Sequence, residues 1–260
     1  MSIITPVLVL AGMGLLFGAF LGVAAKIFKV SEDERIEKIS ELLPGANCGG
    51  CGFAGCSAYA EALVKGEANV NGCPGTKTEN RKIIAEILGV AAKEGPKMVA
   101  RVMCKGTCEN VSSKCEYNGI SDCIAANRYG GGEKACQYSC CGLGSCVSAC
   151  KFDAIHIVDG LAVVDEEKCT ACGMCAKACP RHVITIMEKE QKTYVACMSK
   201  EKGAAMKDIC KVGCIGCKIC EKNCETGAIT VKDNLAVIDY EKCTDCGICA
   251  EKCPKKIIMH

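Results

Sequence analysis

Residues 136–180 read CQYSCCGLGSCVSACKFDAIHIVDGLAVVDEEKCTACGMCAKACP, and residues 210–254 read CKVGCIGCKICEKNCETGAITVKDNLAVIDYEKCTDCGICAEKCP. The two stretches align without a gap. Cys136, Cys140, Cys146, Cys150, Cys169, Cys172, Cys175 and Cys179 fall on Cys210, Cys214, Cys220, Cys224, Cys243, Cys246, Cys249 and Cys253. Cys123 and Cys197 also match, at one distance ahead of each copy. Internal repetition of this kind means two copies of one fold. The repeated residue is a metal ligand and redox group, so the repeat constrains chemistry along with shape.

The chain has 27 cysteines in 260 residues. A disulfide framework would explain such density in a short secreted chain. Here the count is odd, the dominant spacing is C-x-x-C, and no charged stretch precedes the first apolar run as a secretory signal would require. Structural zinc pairs two knuckles across longer gaps, and C-x-x-C-x-x-C is not its pattern. Iron–sulfur ligation fits the spacing. Only 4% of residues are aromatic and there is no tryptophan, so small modules in this chain need a metal staple. The net charge of +2 gives no footprint for nucleic acid. Thiols in this number call for a reducing compartment.

Residues 3–25 carry no charge, enough to cross a bilayer as one helix. Pro6 is tolerated near the start. Lys26, Lys29, Arg35 and Lys38 follow, which puts the N-terminus outside and the cluster-bearing bulk in the cytoplasm by the positive-inside rule. Gly14, Gly18 and Gly22 line one face, a small-xxx-small surface for partner helices. The segment has no ionisable residue and so offers no ion pathway. Ser31–Leu43 reads as an amphipathic linker helix, with Ser31 and Glu34 as a capping box and Ile36, Ile39 and Leu43 on one face.

PGANCGGCGFAGC then brings Cys48, Cys51 and Cys56, and NGCPG brings Cys73. Residues 57–65 between them read as helix. Glycines let this backbone wrap a compact group, and the four cysteines form one [4Fe–4S] site, with zinc as the competing reading. A helix over 79–93 and a strand over 98–103 follow. Cys104, Cys108, Cys115 and Cys123 come next at irregular gaps, and a further cluster on them stays open.

CTACGMCAKACP and CTDCGICAEKCP match C-x-x-C-x-x-C-x-x-x-C-P, so each repeat resembles the bacterial two-cluster ferredoxin. Between motifs the pattern predicts hairpins, turning at Asp159-Gly160 and Asp233-Asn234. The resemblance implies that Cys214, Cys217, Cys220 and Cys253 hold one cluster and Cys224, Cys243, Cys246 and Cys249 its neighbour. In the first copy it implies Cys150, Cys169, Cys172 and Cys175 for one. Leu143 stands where Cys217 would be, and Cys136 is the best substitute, giving Cys136, Cys140, Cys146 and Cys179. Lys151 and Glu225 replace the proline usual after the first motif. Cys141, Cys197 and Cys210 are left as free thiols. His156, His182 and His260 lack neighbours at ligand spacing and read as surface residues.

The glycine-rich helix, the PGxNCGxC module and the tandem ferredoxin motifs together resemble the B-subunit family of the Rnf complex, the ion-translocating ferredoxin:NAD oxidoreductase of bacterial membranes. The resemblance covers essentially the whole chain. It implies an α+β chain with an N-terminal transmembrane helix, a small four-cysteine [4Fe–4S] module and two tandem 2[4Fe–4S] ferredoxin-like modules. The corresponding boundaries are 1–26 (membrane helix), 27–46 (linker), 47–95 (N-terminal module), 96–130 (cysteine-rich connector), 131–190 (first ferredoxin-like module), 191–209 (connector) and 210–260 (second module). It further implies a translocase component in the bacterial cytoplasmic membrane that passes electrons from reduced ferredoxin to membrane partners. It holds at least five clusters and no complete active site of its own. Lys177, Arg181, Lys252, Lys255 and Lys256 lie beside ligands, where they would attract an acidic ferredoxin. The rival readings are an electron-transfer component of another membrane oxidoreductase or hydrogenase, and an iron–sulfur carrier.

Overall fold

α1 (Ile4–Ile27) is a helix of 24 residues whose first charge is Lys26. At about 1.5 Å per residue it is about 36 Å long. The computed structural model describes residues 4–27, 33–91 and 95–260, with α1 side chains described over 7–23. Every one of those side chains is exposed, Leu8, Leu15 and Phe20 among them. Among the described residues no helix is long and apolar enough to cross a membrane. The described side chains of α1 cover less than the roughly 20 apolar positions a crossing requires. Lys29, Ser31 and the side chain of Lys26 lie outside the described residues.

α2 (Glu34–Leu42) starts on Asp33, whose carboxylate accepts from the Arg35 N–H at 3.0 Å. Its Ile39, with Leu43, enters a core with Tyr59, Ala60 and Leu63 of α3 (Cys56–Lys65) and Ile84 and Ala85 of α4 (Thr78–Leu88). Asn80 donates to the Leu42 carbonyl at 2.6 Å and fastens the C-terminal end of α2. The expected linker helix is therefore a wall of the N-terminal module. α4 stops on Gly89, short of residue 93; residues 92–94 lie outside the described ones.

The first half comprises β1 (Met98–Val102), α5 (Cys123–Arg128), α6 (Ser145–Ala149), β2 (Ile155–Val158), β3 (Leu161–Val164), α7 (Met174–Ala178) and β4 (Ile184–Glu188). The second comprises β5 (Tyr194–Val195), α8 (Gly203–Ile209), α9 (Ile219–Lys222), β6 (Ile229–Lys232), β7 (Leu235–Ile238), α10 (Ile248–Lys252) and β8 (Ile258–Met259). β2–β3 and β6–β7 are hairpins whose turn residues Asp159, Gly160, Asp233 and Asn234 all have positive φ, as a type I′ turn requires. A second two-stranded sheet closes each half, β1 with β4 and β5 with β8, both antiparallel. Val102 faces Ile184, and Val195 faces Ile258. Ile184 and Ile258 are repeat equivalents, so β1 and β5 are equivalent too. The halves thus begin at these strands, inside stretches expected to be connectors.

Each core is small. Ala100, Ile155, Ala162, Val183 and Ile184 bury against Cys140 and Cys146. Ile229, Ala236, Ile257 and Ile258 bury against Cys214, Cys220 and Cys253. Arg101 ties the halves together. It is buried, donates to the carbonyls of Lys189 (3.0 Å) and Gln191, and lies 4.8 Å from the Tyr194 ring centroid. The hairpin turn of each half presses on the first cysteine loop. At Gly142 (φ +79) a Cβ would meet the Gly160 carbonyl oxygen at 2.4 Å and its carbon at 2.8 Å.

Gly142→Ala combines a left-handed backbone with a backbone collision. It is expected to lower stability by about 2–4 kcal/mol, read from the urea midpoint of the anaerobic protein.

Candidate metal centres

Three cavities are each lined by four cysteines. Cys214, Cys217, Cys220 and Cys253 surround about 350 Å³, closed by Val231, Ala236 and Ile258. Cys224, Cys243, Cys246 and Cys249 surround about 340 Å³. Cys150, Cys169, Cys172 and Cys175 surround about 330 Å³, with Ala100, Phe152 and Val164 as walls. In each, three thiols come from one loop and the fourth from just after the short helix that follows the other loop: Cys150 and Cys253 end their helices, and Cys224 stands one residue further on. Burial pushes the Cys220 thiol up to about 11 and Cys175 to about 11, with the neighbouring thiols of each set adding to the shift. Cys224 is lowered: burial opposes this, but the Thr226 hydroxyl and the backbone N–H groups of Ile229, Ala228 and Thr226 outweigh it. Backbone N–H groups also reach sulfur at Cys169, from Ala100 and from Ala171, both at 3.4 Å.

The first loop of the first half departs from expectation. Cys136 lines a cavity with Cys104, Cys197 and Cys210, and Cys123, at the start of α5, is among the thiols that act on Cys146, with Cys140 and Cys179. Burial pushes Cys146 up to about 12, and the thiols that add to it are Cys140, Cys123, Cys179 and Cys175. Cys123 is lowered to about 5 by the Cys141 thiol; burial opposes this, and N–H groups of Ser145 and Leu143 add to the lowering. The backbone of Leu143, where the ligand is missing, thus points at the sulfur that replaces it. Asp122 orients this corner. It caps α5 through the Ala125 N–H at 2.8 Å and accepts from the Ser145 hydroxyl at 2.7 Å. The expected set Cys104, Cys108, Cys115 and Cys123 is not brought together. Cys108 is exposed against the hairpin turn, its N–H on the Asp159 carbonyl at 3.0 Å. Cys115 is exposed beside Gly132.

In the N-terminal module Asn47 has φ +46, and its amide oxygen accepts from the Cys56 N–H at 2.8 Å. The Cys73 N–H donates to the Tyr59 hydroxyl at 3.1 Å, and that hydroxyl donates to the Asn69 carbonyl at 2.5 Å. Burial pushes Tyr59 up to about 12. This module docks on the third cavity: a Cβ at Gly50 would stand 2.7 Å from the Cys172 carbonyl oxygen. Only glycine permits that approach.

Among the described residues no three Cys, His, Asp or Glu side chains converge on the single point that one ion needs. Zinc takes its thiolates at about 2.3 Å from one centre. Thiols spread around a cavity, with amides aimed at sulfur, fit a cubane instead. Of the cations expected at a ferredoxin dock, Arg181 is engaged inward, donating to the carbonyls of Cys136 (3.0 Å) and Ser139 (2.7 Å). Lys255 donates to the Lys211 carbonyl at 2.8 Å and Lys256 to the Glu251 carbonyl at 2.8 Å. His260 is bonded to Thr193 at 2.9 Å. No pattern in the residues marks Lys134, a buried lysine whose ammonium donates to the carbonyls of Gly106 and Gly160, each at 2.6 Å.

Family models match three stretches: FeS, an Fe-S cluster family, over residues 43–74; a 4Fe-4S binding domain over 162–185; and a 4Fe-4S dicluster domain over 213–257. Among curated proteins, the chain is 45% identical over 258 residues to the B subunit of the Na(+)-translocating ferredoxin:NAD(+) oxidoreductase complex of Acetobacterium woodii, covering 99% of this chain and 78% of that one. It is 46% identical over 257 residues to the B subunit of an ion-translocating oxidoreductase complex of Methanosarcina acetivorans, covering 98% and 97%. It is 41% identical over 257 residues to the B subunit of the proton-translocating ferredoxin:NAD(+) oxidoreductase complex of Clostridium ljungdahlii, covering 97% and 90%.

Tyr59→Phe leaves the Cys73 amide without its acceptor in a buried place. The expected cost is about 1–3 kcal/mol, seen as a lower urea midpoint together with faster loss of iron to a chelator.

Proposed function

The chain belongs to the B-subunit family of ion-translocating ferredoxin:NAD oxidoreductase complexes, and from that premise we propose how it carries electrons between a soluble ferredoxin and its membrane partners. Cys48, Cys51, Cys56 and Cys73 hold one [4Fe–4S] cluster. Cys150, Cys169, Cys172 and Cys175 hold a second; Cys214, Cys217, Cys220 and Cys253 a third; Cys224, Cys243, Cys246 and Cys249 a fourth. Cys123, Cys140, Cys146 and Cys179 hold a fifth. Bound clusters supply one-electron carriers. The chain's own work is to keep them in a row, shield them from water and present the two ends.

The observation that carries this reading is the three cavities, each lined by the four cysteines that the ferredoxin signature requires. The contact of Gly50 with Cys172 supports an order in which the N-terminal module receives electrons from the first half. Ferredoxin then docks at the far, C-terminal half, where Lys252 is exposed beside Glu251, at 3.6 Å from its carboxylate. The chain divides into an anchor at 1–26, an N-terminal module that takes in α2, and two halves opening at β1 and β5. α1 serves as the membrane anchor with the N-terminus outside. Its backbone length, the absence of charge before Lys26 and the exposure of its described side chains support this. Open space around Gly14, Gly18 and Gly22 supports a partner helix on that face.

Reduced ferredoxin, mixed with the anaerobic chain in mild detergent, is expected to bleach its visible absorbance, while the isolated chain does not oxidise NADH. Rapid NADH oxidation by this chain alone would overturn the reading. Cys123→Ala is expected to lose about four irons per chain and Cys141→Ala none, measured by iron analysis on anaerobic protein.

A further inference from the structure

We propose that Cys104, Cys136, Cys197 and Cys210 hold a further [4Fe–4S] cluster that joins the two ferredoxin-like halves. The inference rests on the cluster-bearing reading above and adds a site that neither the ferredoxin signature nor the family matches mark.

The four thiols line one cavity, as the four thiols of each signature set do. Cys136 and Cys210 are buried, and with Val111 and Met206 they form a separate small core. The set is symmetric. Cys136 and Cys210 are equivalents in the repeat. Cys104 and Cys197 each stand two residues beyond a strand end, Val102 or Val195, and these pair with the equivalent Ile184 and Ile258. Each half therefore gives two ligands from matching places.

The sulfur environments match as well. Cys104 Sγ accepts from the N–H of Gly106, two residues on, at 3.3 Å, and from the Cys140 N–H at 3.5 Å. Cys197 Sγ accepts from the N–H of Ser199, two residues on, at 3.5 Å, and from the Cys214 N–H. Amides aimed at sulfur are how proteins stabilise thiolates on a cluster and tune it. Cys140 and Cys214 each open the first signature loop of their own half. The site thus touches a ligand of the neighbouring centre on both sides, through one hydrogen bond each.

Charge agrees with this. Lys134 is buried beside the cavity and its hydrogen bonds go to the carbonyls of Gly106 and Gly160. Among the described residues it has no carboxylate partner. A buried cation of this kind is costly without a counter-charge, and four thiolates around a cluster supply one.

The test is iron analysis and low-temperature EPR on the full chain, purified without oxygen in mild detergent. The parent is expected to carry about 24 irons. Cys136→Ala/Cys210→Ala is expected to carry about 20 while keeping the other signals. Cys220→Ala, which removes a signature ligand, is the control. If Cys220→Ala loses iron and the double variant does not, the bridging site is overturned and the wider reading stands. If neither loses iron, both fall. Zinc at about one atom per parent chain, lost in the double variant, also overturns the cluster. Should the double variant fail to fold, the parent decides. About 24 irons support the site, and about 20, with a further four lost in Cys123→Ala, overturn it.

Discussion

Each cysteine loop must turn its backbone amides toward sulfur, and the rest of the structure depends on how it does so. In all four signature loops, the residue before the central position and the residue after it have positive φ. The pairs are Gly142 and Gly144, Ala171 and Gly173, Gly216 and Lys218, and Asp245 and Gly247. Ala171, Lys218 and Asp245 hold this conformation without the freedom of glycine, at a cost of about 1–3 kcal/mol each. Such strain persists only where the surroundings over-determine it. Here the inward turn places sulfurs around a common space, and a bound metal offsets the cost, because its binding energy is folding energy. The loop at residues 140–146 keeps the same turns although Leu143 is no ligand. The backbone form belongs to the fold, and the Leu143 N–H there reaches the Cys123 sulfur.

That substitution explains why two ways of aligning the halves disagree. By distance along the chain, Cys123 matches Cys197. By strand register, Cys197 matches Cys104. Register is the physical relation, since it fixes which residue faces which cavity. Cys123 sits in a connector that has no counterpart in the second half and is free to supply a sulfur where one is lacking. The second half needs no such donor, because Cys217 is present.

Much of this is legible in the residues. The ferredoxin resemblance groups the sets of Cys214, Cys224 and Cys150, and each set lines one cavity, because C-x-x-C-x-x-C acts through a short loop and leaves little freedom. The hairpin turns are legible for the same reason: Asp-Gly and Asp-Asn between alternating strands permit few conformations. Contacts made across long separations are not. β1 pairs with β4 far along the chain, and no local pattern announces it. Without that pairing nothing in the sequence brings Cys104 to the cavity it lines with Cys136. α2 reads as a linker because its apolar face, Ile39 with Leu43, is short; only α3 and α4 reveal what it covers. Lys134 gives no signal, because one lysine in a polar connector looks like any other.

The distribution of buried cations follows from the same chemistry. Lys134 and Arg101 are each 6% exposed, and Arg181 is half-buried. Lys134 and Arg181 satisfy their donors with carbonyl oxygens, which quench hydrogen-bonding need but carry no full negative charge. In a core of ordinary hydrophobes this would be a poor arrangement, since a carboxylate partner would relieve it. In a core whose sulfurs are thiolates it becomes favourable, and a carboxylate there would repel them. Both cations lie in the first half: the long connector between β1 and α6 brings Lys134 in, and Arg181, between α7 and β4, reaches back to the carbonyls of Cys136 and Ser139. The second half, with the shorter lead from β5, leaves Lys252 toward solvent, paired with Glu251 at 3.6 Å. The inner joint thus keeps its positive charge beside its own thiols, and the outer end leaves positive charge at the surface. A chain with a net charge of only +2 achieves both by position rather than by excess.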